Sequence, residues 1–190
     1  MRILSALLTL LSCAAIGPPA TAAVDSPEQE ARALARAFVD RLKPQLKQAL
    51  AEGGPGRAIE VCASAAPEIA DSLSAESGWT VKRVSLKARN VSRALPDSWE
   101  RSVLQQFDER QAAGEDPADI NHGEVRNGRY RYLQAQGVEP ICLVCHGQKV
   151  ADAVQESLTV WYPDDMATGY SLGEVRGAIS LAKPLVGKDR

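Results

Sequence analysis

The sequence predicts a small α+β domain in which helices pack through small residues, with a few strands between them. Three observations carry that prediction. Apolar residues recur at helical spacing over two long stretches: Leu34, Phe38, Leu42, Leu46 and Ala49, then Ile59, Cys62, Ala65, Ala66, Ile69 and Leu73. Thr80 to Leu86 alternates instead, and Arg126-Asn127-Gly128-Arg129 has the residues of a hairpin turn, with Tyr130 and Tyr132 alternating beyond it. Aromatics are only 5% of the 190 residues, so the apolar content rests on Ala and Leu, which lets helices approach closely.

The chain opens with the pattern of an export leader. Arg2 supplies the positive end, Ile3 to Ile16 the apolar core and Ala20-Thr21-Ala22 a small-x-small cleavage site. The apolar run is short for a membrane span, and no later run of that kind follows. Leu10-Leu11-Ser12-Cys13 loosely matches a lipoprotein site, but it comes early, and the site downstream is better formed. The expectation is a leader over 1–22 and one soluble, periplasmic domain over 23–190, long enough for one core. Net charge is −2 with no basic block, which recruits neither nucleic acid nor an anionic membrane.

Ser26-Pro27-Glu28-Gln29 starts the first helix, with a capping Ser, Pro in the first turn and Gln at the third position. Pro44 is expected to kink or divide it, Gly53-Gly54-Pro55-Gly56 to break it, and Pro67 to bend the second half. Cys62 points inward on that half, among Ala residues that leave room for something flat. A buried Cys acting as a small hydrophobe is the other reading. The strand from Thr80 follows a turn at Ser77-Gly78, and Lys82, Arg83, Lys87 and Arg89 cluster on it and just beyond.

Asn90-Val91-Ser92 matches a glycosylation sequon, which counts for little in a bacterial export product. Asp97-Ser98-Trp99-Glu100 is a second capping box, opening a helix through Val103, Leu104 and Phe107. Gln111 to Asp119 reads as a polar loop, and His122 as a loop residue before the hairpin. Val150 to Val160 reads as a helix that Trp161-Tyr162-Pro163-Asp164-Asp165 ends. Gly177 to Leu181 reads as the final strand, with Glu174 and Arg176 in structural roles at the turn before it.

The chemistry concentrates in Cys142-Leu143-Val144-Cys145-His146. Two thiols three positions apart, with His directly after, are the attachment pattern of a c-type haem. Each thiol adds across one vinyl group as a thioether, and the imidazole becomes an axial ligand of the iron. A thioredoxin-like dithiol has the same spacing but wants a βαβ context that is not readable here. A zinc site needs four N or S ligands, and only Cys62 and His122 remain in the mature chain. With Cys13 removed in the leader, Cys62 is left alone in an oxidising compartment, as a reactive thiol, an intermolecular bridge or a ligand. Haem also carries two propionates, for which Arg83 and Arg89 are candidates; a solvated basic edge strand is the alternative. Met166 is the one Met after the initiator, so a Met/His cytochrome would have to use it.

The chain resembles a family of single-haem c-type proteins with a PAS-like domain and His/Cys ligation, known from a cyanobacterial prototype and related to haem-sensor input domains of bacterial signalling proteins. The matching stretches are Ala58 to Cys62 with Ala66 to Ala70, Arg83 to Asn90, Pro96 to Glu100, the haem motif with Gly147, and Tyr162 to Tyr170 with Gly173 to Ala178. The resemblance implies a PAS-like antiparallel sheet with flanking helices and an N-terminal helical extension. It implies one covalent haem c, with thioethers at Cys142 and Cys145, and His146 and Cys62 as the two ligands of the iron. Met166 is not called for by the family pattern.

The signalling members continue into a transmitter, kinase or cyclase segment, and the expectation here departs from that pattern, with a single domain over 23–190. The resemblance implies an exported haem protein acting as a redox or ligand sensor through a His/Cys-ligated haem, with a redox or signalling protein partner. The alternative is a small periplasmic electron-transfer cytochrome c. No distal His/Arg pair supports a peroxidase-like enzyme.

Overall fold

The structure, a computed structural model, describes residues 26–185. The leader, its cleavage site and Cys13 lie outside the described residues, as does the stretch 186–190. Helix α1 (Pro27–Ser77) starts on the expected reciprocal cap: the Gln29 amide donates to Ser26 Oγ (3.2 Å), and the Ser26 amide donates to Gln29 Oε1 (2.8 Å). Its torsions leave the helical range at Gly53 (φ −142°) and Gly54 (φ 67°). There the chain folds back, so that Ala31, Ala35 and Phe38 pack against Ala66, Ile69 and Leu73. Arg41 closes the pair with two hydrogen bonds to Glu76.

Pro44 does not divide the helix as expected. The division falls instead at Gly53–Gly54, because Gly54 adopts a φ that no helix interior has, whereas the φ of proline is itself helical.

The sheet has four strands, β1 (Thr80–Val84), β2 (Asn121–Arg126), β3 (Arg129–Gly137) and β4 (Val175–Pro184), in the order β1-β4-β3-β2, all antiparallel. Strand β1 stops at Val84, two residues short of the expected end. Ser85 leaves the ladder there: its amide donates to Ala94 O and its hydroxyl to Arg176 O. Strand β4 begins at Val175 rather than at Gly177. The β2–β3 turn holds Asn127 (φ 51°) and Gly128 (φ 70°), the left-handed pair that a two-residue hairpin requires. His122 is not in a loop; it lies on β2 opposite Leu133, because the hairpin ladder runs back as far as Asn121.

Side chains alternate across the sheet. Val81, Tyr132, Ile179 and Leu181 face α1, while Leu133, Ala135 and Ala178 face α3 (Ser98–Ala112) with Val103, Leu104 and Phe107. Arg83 pairs with Ile179 across β1–β4 and therefore lies on the α1 face; Lys82 pairs with Ser180 on the other. Four short helices complete the description. They are α2 (Val91–Ala94), a 3-10 turn (Pro140–Cys142) continuing into α4 (Leu143–His146), and α5 (Asp152–Trp161), whose Val154 and Leu158 pack on Ile59 of α1.

Glu100 ties α3 to the sheet. Fully buried, it accepts from Ser180 Oγ at 2.7 Å, Lys82 Nζ at 3.0 Å and the Asp97 amide at 2.8 Å. Removing the carboxylate strands these donors, so Glu100→Ala should lower the unfolding free energy by about 3 kcal/mol. Chemical denaturation measures it; a loss under about 1 kcal/mol would remove Glu100 as the tie.

Candidate functional site

One cavity lies between the second half of α1, strand β1, the start of β4 and the turn carrying the two-cysteine motif. Cys62, Arg83, Arg89, Cys142, Cys145 and His146 all line it, so the structure brings the six residues selected from the sequence to one place. Leu42, Leu46 and Leu50 from the first half of α1 close its apolar side, and Tyr162 joins the wall after α5. Met166 is 46% exposed and His122 lies on β2; neither lines the cavity.

The motif is built as a tight turn. Pro140 starts it, where a missing amide costs nothing, the Cys142 amide donates to Glu139 O (2.9 Å), and the Gly147 amide donates to Leu143 O (3.0 Å). The segment after α5 locks it from outside. The Tyr170 amide donates to His146 O, and the Gly169 amide to Gly147 O, both at 3.0 Å.

His146 Nδ1 lies 2.7 Å from Ala167 O. A carbonyl can only accept, so Nδ1 carries the proton and Nε2 presents its lone pair. Arg89 Nη1, a donor, stands 3.4 Å from Nε2, in agreement with that tautomer. Burial, then the cations Arg176 and Arg89, hold the imidazole pKa well below the ordinary value, so the ring is neutral. A neutral His fixed through Nδ1 by a carbonyl is the form in which imidazole binds a metal.

Arg89 has different partners from those expected of it. Its Nε and Nη2 bind Asp165 at 3.1 and 3.0 Å, and Nη2 also donates to Cys145 O (2.5 Å) and Ala167 O (3.3 Å). With side-chain exposures of 13% and 6%, the Arg89–Asp165 pair is shielded from water. It fastens the motif to the carbonyl that orients His146.

Three unpaired thiols share this environment. Burial raises the Cys62 pKa while Arg83, Arg176 and Arg89 pull it down. Burial likewise raises that of Cys145, opposed by Arg89. Tyr162 is pushed up to about 12, by burial first and then by Cys62. The sequence reading left Arg176 at a turn in a structural role; instead it lines the cavity beside Arg83. Burial, then repulsion from Arg83, lowers its pKa to about 9. An Arg at the start of the largely apolar stretch Val175 to Leu181 was the signal available. Glu174 does cap its turn, accepting from the Ser171 amide at 2.9 Å.

The donor set fits a c-type haem: two thiols on one turn, an adjacent imidazole whose Nε2 lone pair faces only the Arg89 guanidinium, a third thiol in the same cavity, and two cations, Arg83 and Arg176, that among the described residues have no acidic partner. Fold and site together define an α+β protein with a thiol- and imidazole-lined cavity. The chain belongs to the Tll0287-like family, whose sequence profile matches residues 20–184. Among solved structures it is similar to the cyanobacterial heme-protein Tll0287, with 25% identity and a TM-score of 0.62, over 85% of this chain and 98% of that one. No curated protein sequence matches the chain.

Asp165→Ala should leave Arg89 buried without its counter-charge and free the 165–167 segment. We expect a loss of about 3 kcal/mol in unfolding free energy, the cost of breaking a shielded pair from one side. Thermal and chemical unfolding of the variant measure it. Wild-type stability would mean that the clamp is not what holds the motif.

Proposed function

We propose that the chain is an exported protein carrying one covalent haem c, with thioethers at Cys142 and Cys145 and with His146 and Cys62 bonded to the iron. In this reading it acts as a redox or ligand sensor toward a redox or signalling protein. The observation that carries the reading is the oriented, neutral imidazole of His146 directly after the two cavity-facing thiols. Family membership supports it, since the similar cyanobacterial structure is a heme-protein. A PAS-like sheet with flanking helices is part of the proposal.

When bound, the haem would supply a one-electron iron centre. The chain's residues do the rest. Ala167 O holds the proton of His146 on Nδ1, and the Arg89–Asp165 clamp keeps that carbonyl in place. Leu42, Leu46 and Leu50 keep water from the apolar side of the cavity. Cys62 would supply an anionic sulfur, which would compensate ferric charge better than ferrous charge and so hold the potential below that of a Met/His site. A sensor also needs an element with two states. Helix α1 offers one, because Cys62 lies on the half that follows the Gly53–Gly54 break. Release of Sγ from the iron would free that half to shift.

Electron transfer is the second reading, favoured by one observation. Val144, between the two cysteines, is 41% exposed, so the attachment edge reaches the surface where a partner docks. Both readings treat the protein as a binder and carrier of electrons rather than an enzyme. The chain has two His, and the second lies on β2, away from the cavity.

Acid-acetone extraction should leave haem on the wild-type polypeptide, and replacing Cys142 and Cys145 together by Ala should make it extractable or absent. Clean extraction from the wild type would overturn covalent attachment. Cys62→Ser should raise the midpoint potential, whereas Met166→Leu and His122→Ala should leave it unchanged. Carbon monoxide binding to the reduced wild type separates the two functions: binding supports the sensor, and no binding with unaltered ligation supports the electron carrier.

A further inference from the structure

We infer that Arg176, together with Arg83, forms a half-buried two-cation subsite for the haem carboxylates, turning the propionate edge toward the β1–β4 end of the sheet. This rests on the haem reading above and assigns to Arg176 a role that the sequence did not suggest.

The geometry begins with the register. Gln136 of β3 stands opposite Gly177, but the next residue, Gly137, stands opposite Val175, so Arg176 is the extra residue of a β-bulge. A bulge re-aims the side chain it carries. Strict alternation would put Arg176 on the α3 face with Ala178. The extra residue instead lets Val175 take that face and leaves Arg176 in the cavity wall. Gly177 makes the arrangement possible: its φ is 148°, and a Cβ there would come within 2.4 Å of Val84 O. The close approach sets the Arg176 backbone against the end of β1, where Ser85 Oγ donates to Arg176 O at 2.6 Å.

The second observation is electrostatic. Arg176 Nε is buried and has no hydrogen-bond partner. Among the described residues neither Arg176 nor Arg83 has an ion-pair partner, whereas Arg89 has Asp165. Two half-buried guanidiniums lining one cavity repel each other, and an anion between them relieves that cost. A haem brings two carboxylates, whose planar oxygens match the guanidinium fork. Lys87 lies along the same wall, but its Nζ is occupied over the Tyr170 ring, 4.7 Å from the centroid. Arg89 is committed to the motif clamp. Arg176 and Arg83 are the cations left for the cofactor.

The test uses the full exported chain with its haem attached. Arg176→Gln should still hold haem through acid-acetone extraction but show a lower midpoint potential, because a positive charge near the iron has gone. Its potential should also vary with pH between about pH 5 and pH 7, where a carboxylate without a cation takes up a proton. Arg176→Lys should restore most of the wild-type value. Infrared spectra with haem labelled at its carboxylate carbons should show an un-ionised acid in Arg176→Gln but not in the wild type at about pH 5. A haem-loaded Arg176→Gln with wild-type potential, pH profile and infrared spectrum would overturn the assignment. If the variant loads no haem, the labelled wild type decides: both carboxylates ionised at about pH 5 supports the subsite, and an un-ionised one rejects it. Absence of covalent haem from the wild type itself would instead fail the reading on which the subsite rests.

Discussion

The site depends on one buried interaction, the Arg89 guanidinium on Asp165 and on the carbonyls of Cys145 and Ala167. It joins three segments distant in sequence: the loop after β1, the two-cysteine turn and the segment following α5. Without it the Ala167 carbonyl is held only by the backbone bonds of its neighbours, the Met166 amide on Ala88 O and the Gly169 and Tyr170 amides on Gly147 O and His146 O, and the His146 tautomer is less firmly set. A charge pair this well shielded contributes little net stability compared with apolar residues of the same volume. Its value lies in placement. The same guanidinium stands 3.4 Å from Nε2, which keeps a donor on the imidazole lone pair.

The fold serves that placement from two sides. Helix α1 is long because Cys62 must reach the cavity while the first half of the same helix packs Ala31, Ala35 and Phe38 beneath the second. The reversal at Gly53–Gly54 therefore decides both how the apolar wall of Leu42, Leu46 and Leu50 closes and where the third thiol sits. On the sheet side, one bulged residue lets the start of β4 deliver a cation to the cavity. Both devices are local backbone departures with consequences some distance away.

Much of this was legible in the sequence, and the reason differs by residue. Cys142, Cys145 and His146 were readable because thioether chemistry fixes residue types and spacing. Cys62 stood out by subtraction, once the other thiols had been assigned. The caps at Ser26 and Asp97 and the Asn127–Gly128 turn are local hydrogen-bond and torsion rules, and they were placed to the residue. Arg176 was missed because a bulge depends on the pairing of β3 with β4, which no window along the chain contains. For Arg89 the residue was found but not its partners, since Asp165 lies 76 positions away. His122 was read as a loop residue because Asn121, His122 and Gly123 carry no strand propensity of their own. Their pairing with β3 supplies it.

The central claim is that one iron is bonded by His146 and by Cys62 of α1. X-ray absorption at the iron edge of the oxidised, purified protein tests this most directly. The account predicts one sulfur bonded to iron among nitrogen neighbours, lost in Cys62→Ser and retained in Met166→Leu. Nitrogen or oxygen neighbours alone in the wild type would contradict it, as would a sulfur that survives in Cys62→Ser.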